Sequence, residues 1–143
     1  MRKELIELKK SWYKLSSIYT KAAENFNMNP LEFKIYHIIF LLIDDCTQKK
    51  LVEYTCEIKQ AINNVVKKFE KEGLVKLTVS EEDKRSKKVK LTEKGLKLWD
   101  EKYDILIKLE EETLNQFSNE EVKGFLKFIS KYEKLLEEKT ENI

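Results

Sequence analysis

Apolar residues fall at Leu5, Leu8, Trp12, Leu15, Tyr19, Ala22 and Phe26 in alternating steps of three and four. That spacing predicts an amphipathic helix over about Lys3–Asn25, with a seam suited to pairing with other helices. A second helix is announced by Asn29-Pro30-Leu31-Glu32, an N-cap followed by Pro at the first helical position and Glu at the third. Met28 and Phe33 are placed as its hydrophobic staple, and the almost wholly apolar run to Ile43 marks it as the central buried helix, ended by Asp44-Asp45. Two shorter helices are expected next, about Gln48–Tyr54 and Glu57–Glu72, with Gly73 as the stop of the second. Leu74–Thr78 and Lys88–Leu91 read as short strands joined by a polar hairpin tip. Thr92 can cap a long helix over about Glu93–Gln116, with Gly95 in its first turn. Ser118 and Glu121 form a capping box, flanked by Phe117 and Val122, for a last helix carrying Val122, Phe125, Ile129, Tyr132 and Leu136.

The expected order is thus α-α-α-α-β-β-α-α: a mainly helical α+β winged helix-turn-helix of about six helices and one β-hairpin wing. The 143 residues suit one domain, with no internal repeat or low-complexity linker. Within it, 30–95 is the winged helix-turn-helix region, while 1–28 and 96–143 supply dimerisation helices. Long terminal helices with apolar seams, in so small a chain, argue for a homodimer built from both ends.

Composition narrows the class. Charged residues are 38% of the chain and Pro occurs once, as expected for a charge-rich helical protein. No apolar stretch is long enough to span a bilayer, and charges run through the first residues where a signal peptide would have its apolar core, so a cytoplasmic location is expected and no membrane partner. Cys46 and Cys56 lack the companions of a disulfide framework or a zinc site. The net charge of +2 is uneven: Cys46–Thr92 holds 12 Lys/Arg against 7 Asp/Glu, as a central nucleic-acid-binding module would.

Two short helices followed by a hairpin place the second helix in a major groove and the hairpin tip along the backbone or in a minor groove. The second helix has an apolar face of Ile58, Ile62, Val65, Val66 and Phe69, and a polar face of Lys59, Gln60, Asn63, Asn64 and Lys67. Asn and Gln can pair with adenine edges, while Lys suits phosphate or guanine. The same residues also describe an ordinary solvated face. The wing is more specific. Only Arg2 and Arg85 among 28 basic residues are Arg, so an Arg at the hairpin tip points to a guanidinium in a narrow minor groove. Asp83 can orient it, and Lys84, Lys87 and Lys88 add phosphate attraction.

With Asp83-Lys84-Arg85 followed by Leu91-Thr92-Glu93-Lys94-Gly95, and with Leu51 to Leu74 running ungapped into Glu72-Gly73-Leu74-Val75, the chain resembles the MarR family of bacterial transcription regulators over nearly its whole length. The resemblance implies a triangular homodimer on a pseudo-palindromic double-stranded DNA operator, with Arg85 as the minor-groove arginine and Asp83 as its positioning partner. There are departures: Cys56 stands at the small-residue turn, Leu77 at a frequent Arg, and Gln60, Ala61 and Asn63 at the usual Ser/Thr positions.

The resemblance also implies a small-molecule effector pocket, for which Trp12, Tyr19, Tyr36, His37, Trp99 and Tyr103 are the candidates; read by themselves, these are core or interface side chains. Cysteine-based oxidant sensing occurs in that family, and Cys56 at the helix-turn-helix junction is the redox candidate here. Residue type alone favours a buried, inert thiol for both cysteines. A lone His37 and unclustered carboxylates offer no metal site, Glu110–Glu112 reads as a solvated face, and no catalytic residues or cofactor are suggested. The reading is a dimeric, sequence-specific DNA-binding regulator, in the first instance a repressor, modulated by a small ligand or oxidation. The alternative is a winged-helix protein-interaction module, an adaptor or antirepressor that does not itself read DNA.

Overall fold

A computed structural model describes residues 1–43, 45–79 and 87–141, with the backbone alone described at Lys102 and Tyr103. The described elements are α1 (Arg2–Asn25), α2 (Pro30–Leu41), α3 (Gln48–Thr55), α4 (Lys59–Lys71), β1 (Val75–Val79), β2 (Lys87–Leu91), α5 (Glu93–Leu114) and α6 (Asn119–Thr140), in the expected order and number. They fall into two compact units, Met1–Asp100 and Glu101–Ile143.

In the first unit, local chemistry sets the helix ends. The Asn29 side chain accepts from the Glu32 amide at 2.9 Å and Glu32 Oε2 accepts from the Asn29 amide at 3.3 Å, so the capping box of α2 closes with Pro30 at its head. The helix stops at Leu41, two residues short of the expectation, because Leu42 and Ile43 turn instead, with the Ile43 amide donating to Phe40 at 3.1 Å. Phe33 meets Phe26 ring to ring at 5.3 Å, fastening the end of α1 to the start of α2. Thr47 caps α3 by accepting from the Lys50 amide at 3.1 Å. Gly73, at φ 74°, ends α4: its amide donates to Glu70 at 3.0 Å and that of Leu74 to Phe69 at 2.8 Å, the paired bonds of a Schellman turn.

The two strands pair antiparallel, Val75 opposite Leu91 and Val79 opposite Lys87. The outer edge of β2 is also engaged: the Val89 amide donates to the Cys46 carbonyl at 2.9 Å, and Thr47 bridges Lys88. The residue that caps α3 thus also holds the root of the wing. Ile35, Tyr36, Ile39, Leu51, Ile62, Val66, Phe69, Val89 and Trp99 are fully or almost fully buried around this junction.

Gly95 has a stricter role than its place in a first helical turn suggested. A Cβ there would sit 2.2 Å from the Leu74 carbonyl oxygen, so only glycine lets α5 approach the start of β1. The contact is held by Thr92, whose amide donates to Leu74 at 3.0 Å and whose hydroxyl donates to the Gly73 carbonyl and accepts from the Gly95 amide. The Tyr36 hydroxyl donates to the Gly95 carbonyl at 2.6 Å from the buried side.

The second unit holds the end of α5 and α6. The Ser118–Glu121 capping box forms as expected, with the Ser118 amide donating to Glu121 at 2.8 Å. No described residue of α6 is buried. No described helix is long and apolar enough to cross a membrane, and no described group of three or more His, Cys, Asp or Glu could hold a metal.

Candidate nucleic-acid interface

The α3–α4 pair is joined by a turn with two non-helical backbones. Cys56 takes the left-handed conformation at φ 55°, and Ile58 is extended, so α4 begins at Lys59 rather than at Glu57. Ile62, Val65, Val66 and Phe69 are buried, and α4 packs on α2, α3 and β1. Ile58, expected on that same inner face, is instead 72% exposed. Its extended backbone breaks the helical period one residue before the helix starts, leaving it beyond the end of the packed layer.

The opposite face is polar as expected: Lys59, Gln60, Asn64 and Lys67 are exposed and Asn63 is half-buried. Gln60 Nε2 donates to Asn64 Oδ1 at 3.0 Å, so two of the candidate base-reading groups form one unit. Two ion pairs from α2 bracket α4. Lys34 Nζ lies 3.1 Å from Glu57 Oε1 ahead of its first turn, and Lys68 Nζ lies 2.7 Å from Glu32 Oε1 along its later half. The hydrogen bond that the Lys68 ammonium donates to that carboxylate holds it above its ordinary pKa. Sequence reasoning assigned Glu32 to the cap alone; the second role depends on a partner 36 positions away.

At the root of the wing Lys87 is exposed and Lys88 half-buried. Asp83, Lys84 and Arg85 lie outside the described residues. At the departure noted above, Leu77 is half-buried opposite Val89, and exposed Lys76 stands opposite Lys90.

Three of the six proposed effector-pocket residues come together. Trp99, almost fully buried, stacks on Phe40 with ring centroids 3.3 Å apart, and Tyr36 and His37 approach it at 6.4 and 6.2 Å. Burial pushes the Tyr36 hydroxyl well above the ordinary tyrosine range, and its bond to Gly95 makes it part of the packing between α2 and α5. His37 is half-buried, edge-on to Phe33 at 6.2 Å. Trp12 and Tyr19 are exposed on α1, and the side chain of Tyr103 lies outside the described residues.

The cysteines divide. Cys46 is buried as expected, and desolvation pushes its thiol up to about 12. The expectation of a buried thiol fails at Cys56, which is exposed. Its left-handed position ends α3 at the surface, and its thiol is a weak donor to the Glu53 carbonyl at 3.7 Å.

No family model and no curated protein matches the chain by sequence. Solved structures do match by shape. A MarR family regulator from Neisseria meningitidis has a TM-score of 0.79 at 18% identity, covering 98% of this chain and 99% of its own. A MarR transcriptional regulator from Methanosarcina mazei has 0.64 at 25% identity, covering 93% and 99%. The S. aureus MepR–DNA complex has 0.70 at 18% identity, covering 90% and 93%. These likenesses run over nearly full lengths and support one assignment: the chain has the winged-helix fold of the MarR-family transcriptional regulators.

Proposed function

We propose that this chain is a cytoplasmic, homodimeric DNA-binding transcriptional regulator that uses α4 as its recognition helix. The observation that carries the reading is the division of α4 into a packed apolar face and an exposed face of Lys59, Gln60, Asn64 and Lys67, on a fold shared with a structure solved on DNA. Two copies present two α4 helices to successive major grooves of a pseudo-palindromic site, about one helical turn apart. Arg85, positioned by Asp83, enters the flanking minor groove, and Lys84, Lys87 and Lys88 neutralise phosphates. Exposed Leu5, Trp12 and Leu15 on α1, and Phe125 and Leu136 on α6, are the surfaces the second copy covers. Binding represses, and a small effector at the His37–Trp99 cluster or oxidation of Cys56 acts by changing the spacing of the wings.

Fluorescence anisotropy on labelled genomic fragments tests this. The wild type is expected to retain specific duplexes with an affinity that falls steeply with salt. Arg85→Ala weakens binding and reduces the salt slope by about 1, while Asn63→Ala relaxes sequence preference. Salt-independent binding, or full affinity in Arg85→Ala, overturns it and favours a protein-docking winged helix.

A further inference from the structure

Ile58 is an exposed apolar residue that packing leaves unexplained. It caps α4 with no side-chain hydrogen bond and is 72% exposed. Isoleucine is among the poorest N-caps, and an exposed one gains nothing from burial, so neither helix stability nor the core accounts for it here. Just beyond it stand Gln60 and Asn64, already joined by a 3.0 Å bond from Gln60 Nε2 to Asn64 Oδ1. That bond engages the Asn64 oxygen. The pair is left with the Gln60 oxygen as acceptor, and with the Asn64 amide and the second Gln60 N–H as donors.

This set matches one base pair better than the others. In the major groove adenine presents an N6 donor beside an N7 acceptor, and its thymine partner presents a C5-methyl. Guanine presents two acceptors, N7 and O6, which would face the Gln60 oxygen unfavourably, and cytosine has no methyl for an isoleucine to cover. The N-terminal residues of a recognition helix are those that reach base edges. We propose that the head of α4 is an A·T reader, with Gln60 and Asn64 acting as one unit on adenine and Ile58 covering the C5-methyl of a thymine. The proposal rests on the assignment of α4 as the recognition helix.

The test removes single atoms from DNA. Duplexes are selected from a randomised pool with the wild-type protein. In the tightest, each thymine is replaced in turn by deoxyuridine, which lacks only the methyl, and each adenine by 7-deazaadenine, which lacks the N7 acceptor. At one thymine per half-site the wild type is expected to bind deoxyuridine about fourfold more weakly, and at a neighbouring adenine 7-deaza substitution costs about tenfold. Ile58→Ser binds the thymine and deoxyuridine duplexes equally, while Asn64→Ala, which removes the donor to N7, loses sensitivity to 7-deazaadenine and keeps the thymine preference. Because serine supplies the missing cap, Ile58→Ser should melt no lower than wild type, which separates a lost contact from a lost fold. Indifference of the wild type to deoxyuridine at every position, or an unchanged thymine preference in Ile58→Ser, overturns the proposal while leaving DNA binding intact. Enrichment of no duplex overturns the recognition-helix assignment, and the proposal with it.

Discussion

Helices α4 and α6 are written in the same three-four spacing and end in opposite states. In α4 the spaced residues Ile62, Val65, Val66 and Phe69 are buried against α2, α3 and β1. In α6 the equally regular Val122, Phe125, Ile129, Tyr132 and Leu136 include no buried residue, and Phe125 is 62% exposed. Periodicity therefore announces a helix and its apolar face, but it carries no information about what covers that face. For α4 the cover lies within the chain. For α6 we propose a second copy, since an uncovered stripe of large apolar groups forfeits roughly 1.5–3 kcal/mol per side chain that burial would return.

The largest effect is expected at Gly95. Gly95→Ala should destabilise the first unit by about 3 kcal/mol or more, read as a fall in the urea midpoint, because the added Cβ meets a backbone oxygen rather than a flexible side chain. An unchanged midpoint would show that α5 is not seated on Leu74 as described. On the α6 side, Phe125→Glu should leave far-UV circular dichroism nearly unaltered and raise the dimer dissociation constant about thirtyfold or more in sedimentation velocity, as loss of an interface anchor does. A monomeric wild type, or an intact dimer in the variant, removes the second copy as the cover.

A smaller effect separates the cysteines. The folded pKa of Cys46, about 12, lies above its unfolded value of 9.0, so its burial contributes fully below pH 9 and the contribution is lost as pH rises toward 12. Between pH 7 and pH 10 the wild type should lose about 1 kcal/mol more stability than Cys46→Ala, measured by urea denaturation at each pH. A thiol reagent should meanwhile modify Cys56 alone in the native protein, and rapid modification of both would contradict the burial of Cys46. The smallest effect is Gly124→Ala on α6. A Cβ there meets nothing within 4 Å, so helix propensity predicts a gain of about 0.5–1 kcal/mol. A loss instead would place a partner surface close against that turn.

Much of this architecture was legible in the sequence because its signals are local. Asn29 with Glu32, Ser118 with Glu121, Thr92 and Gly73 each act within a few residues of their own backbone, and every one of these caps is made as read. The element order and the polar face of α4 follow from the same short-range periodicities. What only the tertiary structure decided involves residues far apart or off the helical period. Glu32 meets Lys68, Tyr36 reaches Gly95, and Thr47 pins β2, none of which spacing can express. Ile58 belongs to the apolar stripe by count, yet the extended backbone of the turn lifts it into solvent, and the left-handed Cys56 beside it is exposed for a related reason. Pattern determines which face of an element is apolar; the end of a packed layer is set in three dimensions, where steric fit and the distant partner are defined.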